Sequence, residues 1–323
     1  MRVGVLYNPL SGRLVRHPNL IHNVLSVYGN LQQAQVKTPQ DIVEALRTFA
    51  HHHVTLLIII GGDGTLQATL DALFNDRPFQ TMPHVAIMPG GTANLVAGDV
   101  GTGPLHAQSL RALLAKAGSL SREFSFVKRP ILRVQFPDNR MPLHGMFFGA
   151  GAIYQGTKIG LETKQGIGRM GEWGAGLIIV RSMLALAMGS PQDLGPVTAT
   201  LSVVEGKASE HEYLVVLVST LERLFLGLKP FWSDQDGALH YTSLRIPYRY
   251  LWRVLPKVLR GNPHPLAIGT HGYESKNVSM LQIGMKSGFV LDGEIHASPT
   301  TGESMTLDSA GELSFIQVAA EAS

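Results

Sequence analysis

Up to about residue 120, apolar residues come in short runs separated by amphipathic stretches of helical length: VGVLYN, then NLIHNVLSVY, QDIVEALRTFA, VTLLIII, LQATLDALF, VAIMP and LRALLAKAG. Strands alternating with helices of this length predict a parallel α/β sheet. After about residue 125 the period becomes two, in KRPILRVQF, LHGMFFGAG, VTATLSVVEG, EYLVVLVST, LHYTSLRI, NVSMLQIG, GFVLDGEI and ELSFIQV. Many such strands with turn residues between them predict an antiparallel sandwich or barrel. The expected division is therefore an α/β domain over residues 1–122 and a β-sandwich domain over 123–302. The segment 303–323 is a candidate to complete the first domain.

Composition narrows this picture. A chain of 323 residues, 45% hydrophobic and 16% charged, exceeds one ordinary core and suits two ordered domains. It has no cysteine, which excludes disulfides, thiolate metal sites and thiol catalysis and suits a reducing cytoplasm. The opening MRVGVLYNPLSG reads as a strand entering a loop, not as a secretion signal. The apolar run 173–189 is short for a bilayer span and carries Arg181 at its middle, so a buried or interfacial helix is expected there. A formal charge of +3 gives no reason to expect nucleic acid as a partner.

In an open α/β sheet, ligands bind outside the carboxyl ends of the strands. Three such ends carry glycine and hydroxyl groups: Asn8 to Gly12 (NPLSG, with Ser11), Gly61 to Thr65 (GGDGT), and Gly90 to Asn94 (GGTAN, with Gly91 and Thr92). Glycine lets the backbone approach a phosphate closely, and N–H groups and a helix N-terminus supply positive dipoles. One such turn alone could be merely tight; three converging make a phosphate cradle. A carboxylate beside a triphosphate, Asp63, would repel it unless a divalent cation or a cationic side chain intervenes, with Mg²⁺ the natural intermediary. Asp63 could equally cap a helix beginning near Leu66.

NPLSG, GGDGTL, PGGTAN, DGAL at 236–239 and LDGE at 291–294, in this order and spacing, resemble the diacylglycerol kinase catalytic-domain superfamily, which includes bacterial lipid kinases and sphingosine kinases. The resemblance implies ATP bound between an N-terminal α/β domain and a C-terminal β-sandwich, and phosphate transferred to a lipid hydroxyl such as that of diacylglycerol. It implies nucleotide contacts from Asn8, Thr38, Gly61, Gly62, Asp63, Gly64, Thr65 and Thr92. It makes Asp292 and Glu294 candidates for the base that accepts the hydroxyl proton, although an Asp-Gly hairpin turn would present the same letters. It also suggests a structural Mg²⁺ held by Asp236 and the carbonyls of Ser233 and Ala238, where an ordinary turn would again look identical. A lipid acceptor implies transient contact with an anionic membrane surface, peripheral at the inner face. The oligomeric state stays open, a homodimer included.

The chain departs from the family where Gln67-Ala68 replaces Asn-Glu, where Leu95 replaces Asp, and where STLERLFLGLKPF replaces a glycine-rich triple. These changes leave the cradle intact and bear on the acceptor. Two alternatives follow: a soluble-substrate kinase of the NAD kinase type, which shares the Gly-Gly-Asp-Gly loop, and a non-catalytic nucleotide-binding regulator. Gly166-x-Gly168-x-x-Gly171 matches a dinucleotide fingerprint but follows polar LETKQ and no strand. His51-His52-His53 is better read as a solvated helix end than as a metal site. No GxxxxGK[ST] motif occurs.

Last, YRYLWRVLPKVLRG at 248–261 spaces Arg249, Arg253 and Lys257 every four residues, opposite Leu251, Val254, Leu255 and Val258. A surface helix packed on the sandwich has this pattern, and so does a helix lying on anionic lipid.

Overall fold

The computed structural model describes residues 1–29, 31–91, 95–118, 124–166, 195–203, 208–224, 227–300 and 302–317. The chain divides into two compact units, Met1–Arg129 with Glu312–Ser323, and Pro130–Gly311. The first division falls at Arg129, not at 122, and the C-terminal return begins at Glu312, not at 303. Both lie inside continuous strands, β5 (Ser125–Gln135) and β15 (Ser304–Gln317), where the alternation of the sequence gives no break to read. The apolar run 173–189 and the residues Gly168 and Gly171 lie outside the described residues.

The first unit is built on four parallel strands: β1 (Val3–Tyr7), β2 (Gln32–Gln35), β3 (Leu56–Gly61) and β4 (His84–Pro89). Their spatial order is β4-β3-β1-β2, and the end of β15 runs parallel to β4 with Phe315 opposite Val85. Every residue of β3 is buried, as a central strand with both faces covered requires. Leu56, Ile58 and Ile60 join Val3 and Val5 in a core with Ile21, Val24 and Leu25 of α2 (Leu20–Leu25) and Leu110, Leu113 and Leu114 of α6 (Ala107–Gly118). The alternate residues Leu57 and Ile59 therefore serve the opposite face.

Helix α3 (Pro39–His51) is specified locally. Thr38 caps it, Pro39 takes the first position, and Asp41 completes the capping box; Ile42, Ala45, Leu46 and Phe49 form the buried stripe. The Lys37 and Thr38 N–H groups bonded to Asp41 hold its carboxyl below the usual range. Phe49 lies against Gly4 of β1, where a Cβ would come within 2.9 Å of its ring. β2, by contrast, reads QQAQ and has no apolar alternation, so the pattern passes over it; pairing with Gly4 to Tyr7 makes it a strand. Two short helices, α1 (Gly12–Arg16) and α5 (Ala97–Val100), follow the turns after β1 and β4.

In the second unit β6 (Leu143–Gly145), β7 (Phe147–Gly151), β8 (Val197–Val203), β9 (Ser209–Ser219), β10 (Leu239–Arg245), β11 (Tyr273–Val278), β12 (Met280–Met285), β13 (Phe289–Leu291) and β14 (Glu294–His296) pair antiparallel throughout. β12 also pairs antiparallel with β15. β9 meets β8 over Ser209–Tyr213 and β7 over Val215–Ser219, so one long strand joins two stretches of sheet. Alternate residues from these strands, among them Ala199, Val216, Tyr241, Ile283, Phe289 and Leu307, close on one core. That is the arrangement of the expected sandwich. The run NVSMLQIG proves to be two strands, since β11 ends at Val278 and β12 starts at Met280. A 15-residue helix, α7 (Ala152–Gly166), follows β7 directly and was hidden by its three glycines and mixed polarity. A second cluster packs α8 (Leu251–Val258) onto Leu214, Leu244 and Tyr273.

Candidate active site

At the carboxyl ends of β1, β3 and β4 the three glycine-bearing turns are bonded to one another. Asn8 Nδ2 donates to Thr65 Oγ1 at 2.9 Å, joining the first turn to the second. Arg13 N donates to Gly90 O at 2.9 Å, joining the first to the third. Gly90 N donates to Gly61 O at 2.8 Å, and Leu95 N to Asp63 Oδ1 at 3.0 Å, joining the second to the third. Asn8 is the organising residue of the first turn: its Oδ1 accepts from Leu10 N, and its carbonyl accepts from the Ser11 hydroxyl. Ser11 is buried and Gly12 opens α1.

The GGDGT motif is scarcely a loop. Gly61 is the last residue of β3, Gly62 is the cap position, and Asp63 is the first residue of α4 (Asp63–Asn75). The expectation of Asp63 capping a helix near Leu66 is thus corrected: the helix begins three residues earlier, and Asp63, Gly64 and Thr65 form its first turn. A carboxylate there favours the positive end of the helix dipole. The glycines also serve turn-to-turn contact. A Cβ on Gly90 would lie 3.3 Å from Gly61 Cα and Ser11 Cβ, one on Gly62 would lie 3.3 Å from Gly91 Cα, and one on Gly61 would lie 2.6 Å from Thr65 Cβ. Gly62 itself has an extended backbone that any residue adopts. What it needs is the missing side chain.

Thr38 stands at the end of the segment after β2, its Oγ1 accepting from Asp41 N at 3.2 Å. Thr92 and Asn94 lie outside the described residues. Gln67 and Leu95, two of the departures from the family pattern, are buried.

In the second unit, Asp292 and Gly293 are the two central residues of the β13–β14 hairpin, with Leu291 opposite Glu294. Both have positive φ, 47° and 92°, as a type I′ turn demands. Asp292 is 0% exposed. Its carboxylate accepts from Phe147 N at 2.8 Å and from Met146 N at 3.0 Å. The space it occupies exists because residue 145 is glycine: a Cβ there would be 2.7 Å from Asp292 Oδ2. The Met146 carbonyl in turn accepts from Ser219 Oγ at 2.8 Å and from Thr220 N at 3.0 Å. Thr220 Oγ1 is buried with no hydrogen-bond partner. Glu294, first residue of β14, is exposed. The two carboxylates of one motif thus have different surroundings, one closed by backbone donors and one open. Gly145, Met146 and Ser219 were not singled out from the sequence; the short strand ending in His-Gly before MFFGAG was the available signal.

Asp236 is exposed on the segment before β10. Asn277 Nδ2 donates to Gln235 O at 2.7 Å and to Ser233 O at 3.4 Å, and Gly237 packs on the Asn277–Val278 backbone, where a Cβ would clash. The loop that carries Ser233, Asp236 and Ala238 is therefore held in shape by β11. Its oxygen donors are of the kind a hard cation takes. Among the described residues no three His, Asp or Glu side chains gather as a metal cluster, and no helix is long and apolar enough to cross a membrane.

Residues 2–124 match the family model described as the diacylglycerol kinase catalytic domain. No curated protein matches the chain. Among solved structures, one of a candidate diacylglycerol kinase from Bacillus anthracis str. Sterne aligns over 98% of this chain and 97% of its own, at 19% identity and a TM-score of 0.63. Another of a candidate diacylglycerol kinase from the same strain aligns over 99% and 98%, at 18% identity and a TM-score of 0.63. A third, of a diacylglycerol kinase from that strain, aligns over 97% and 96%, at 17% identity and a TM-score of 0.58. By sequence over residues 2–124 and by fold over nearly its whole length, the chain resembles the diacylglycerol kinase catalytic-domain superfamily.

Proposed function

We propose that this chain is an ATP-dependent lipid kinase that transfers the γ-phosphate to a lipid hydroxyl, of diacylglycerol or a related lipid. One observation carries the reading: three strand-end turns, fixed to one another by Asn8–Thr65, Arg13–Gly90, Gly90–Gly61 and Leu95–Asp63, at the N-terminus of α4. Turns fixed in this way keep backbone N–H groups aimed at a polyphosphate without reorganisation when it binds. Asn8, Ser11, Gly12, Thr38, Gly61 to Thr65, Gly91, Thr92 and Asn94 are the nucleotide-side residues.

The half-buried carboxylate of Asp63 is a fitting oxygen donor for Mg²⁺, with Asp236, Ser233 O and Ala238 O a separate structural site. Bound there, the cation supplies charge neutralisation at the phosphates. Glu294, open to solvent, accepts the proton of the lipid hydroxyl as its oxygen bonds to the γ-phosphorus and the bond to ADP breaks. Asp292 acts through the backbone: it holds the Met146 and Phe147 N–H groups and the turn from which Glu294 projects. The reaction asks mainly for alignment, which such a buried anchor supplies.

A radiolabelled ATP assay against diacylglycerol, monoacylglycerol, sphingoid bases and NAD tests this. Label in a lipid is expected, with Glu294→Gln lowering kcat by about 10²–10⁴ at an unchanged melting temperature. Label in NAD alone would favour the soluble-substrate kinase. ATP binding without transfer to any acceptor would favour the regulator.

A further inference from the structure

Between Arg245 and Tyr273 the chain carries Arg245, Arg249, Arg253, Lys257 and Arg260, five of its 27 Lys and Arg, and none of its 24 Asp and Glu. The structure turns this segment into one surface of the second unit. Leu251, Val254 and Val258 of α8 are buried against Leu214, Leu244 and Tyr273, which fixes the helix underside inward. The outer side carries two ranks four residues apart: Trp252 with Pro256, and Arg253 with Lys257, all exposed. Arg249 precedes the helix and does not share its face, because Tyr250 has a left-handed backbone and α8 starts at Leu251. It flanks the basic rank at one end as Arg260 does at the other.

Three large apolar side chains stand out from this surface: Trp252 at 59% exposure, Tyr250 at 46% and Ile268 at 45%. The segments that carry Tyr250 and Ile268 are tied to each other. Arg249 O accepts from Tyr273 OH at 2.8 Å, Arg249 N donates to His271 O at 3.2 Å, and the Tyr250 ring meets the His271 ring edge-on at 5.1 Å. The backbone of Ile268 accepts from His271 N. A Trp and a Tyr beside an aliphatic residue and a rank of cations is the chemistry that recognises a lipid–water boundary with anionic headgroups. Nucleic acid would use the cations but would leave Ile268 and the outward Trp252 in water.

We propose that the outer side of α8, with Tyr250 and Ile268, is a membrane-docking surface that binds anionic phospholipid: Trp252, Tyr250 and Ile268 enter the headgroup boundary while Arg253, Lys257, Arg249 and Arg260 meet phosphates. The surface is independent of nucleotide and of the acceptor assigned above, so its test needs no turnover.

The full-length protein is sedimented with vesicles of phosphatidylcholine alone and of equimolar phosphatidylcholine and phosphatidylglycerol, without ATP, at low and high salt. Binding is expected only with the anionic vesicles and should weaken with salt. Arg253→Gln with Lys257→Gln should lower the partition coefficient on the order of 25-fold, about fivefold per cation. Bromine-labelled lipid should quench Trp emission in the parent, and the quenched component should vanish in Trp252→Phe. Equal partitioning by the parent and the folded double variant, or unchanged quenching in Trp252→Phe, overturns the assignment. So does absence of vesicle binding alongside tight binding to duplex DNA. The substituted side chains are exposed, and a far-UV spectrum and melting curve matching the parent confirm the fold.

Discussion

Of the chain's three Asp-Gly pairs, two come just after a strand, Asp63-Gly64 and Asp292-Gly293, and they fold in different ways. Asp63 starts a helix, is half-buried, and accepts from Leu95 N across to a neighbouring turn. Asp292 sits in a left-handed hairpin position, is wholly buried, and accepts from Met146 N and Phe147 N. The first is partly open to solvent; the second is enclosed and acts as structure. The same two letters thus mark a partly open carboxylate or an enclosed one according to how the backbone around them folds.

The largest expected effect follows from that contrast. Asp292→Ala leaves the Met146 and Phe147 N–H groups buried without acceptors, at about 1–3 kcal/mol each. Asp63→Ala releases the Leu95 N–H and should cost about 1 kcal/mol. Urea unfolding of the two variants measures the difference, and equal midpoints would break the comparison. Gly145→Ala should imitate Asp292→Ala, because its Cβ would displace the carboxylate.

A middling effect belongs to the nucleotide-side turns. Asn8→Ala and Thr65→Val each remove the same hydrogen bond, so a double-mutant cycle should return a coupling of about 1 kcal/mol in stability. ATP affinity should fall in both. Additive losses would mean that the turns are held by other means.

The smallest effect is on pH. Burial pushes the His84 imidazole below its usual pKa, its Nδ1 is buried without a partner, and its ring lies tilted against Phe126 at 4.4 Å between centroids. The folded state keeps the ring neutral while the unfolded chain binds a proton near pH 6.5. Stability is therefore full above that pH and declines as pH falls toward the depressed value. His84→Phe should flatten this decline in unfolding measured below about pH 6.5.

What could be read beforehand depended on whether a property is local. β3 was legible because three consecutive Ile and two Leu report burial on both faces, and α3 because its cap, proline and stripe lie within 13 residues. β2 was not, since Gln32–Gln35 becomes a strand only through its partner β1. The three turns were recognisable as glycine-rich strand ends, but their cross-links were not: Asn8 and Thr65 are 57 residues apart. The hairpin reading of Asp292 was legible too. That its carboxylate would be enclosed by Met146 and Phe147, on a strand 145 residues earlier, depends on a glycine whose importance shows only when the two segments meet.

The pairing of Phe315 with Val85 and the burial of Ile316 in the first unit's core have a bearing on how the protein is made. A ribosome delivers β1 to β4 before the second unit and residues 312–317 after it, so the nascent sheet waits with the Val85 edge of β4 uncovered while the whole of the second unit is synthesised. The second unit, a single uninterrupted stretch from Pro130 to Gly311, can close during that interval. Vectorial synthesis thus imposes an order in which the first unit, begun before the second, is finished after it. An exposed hydrophobic edge in the meantime is the natural point for a chaperone to hold.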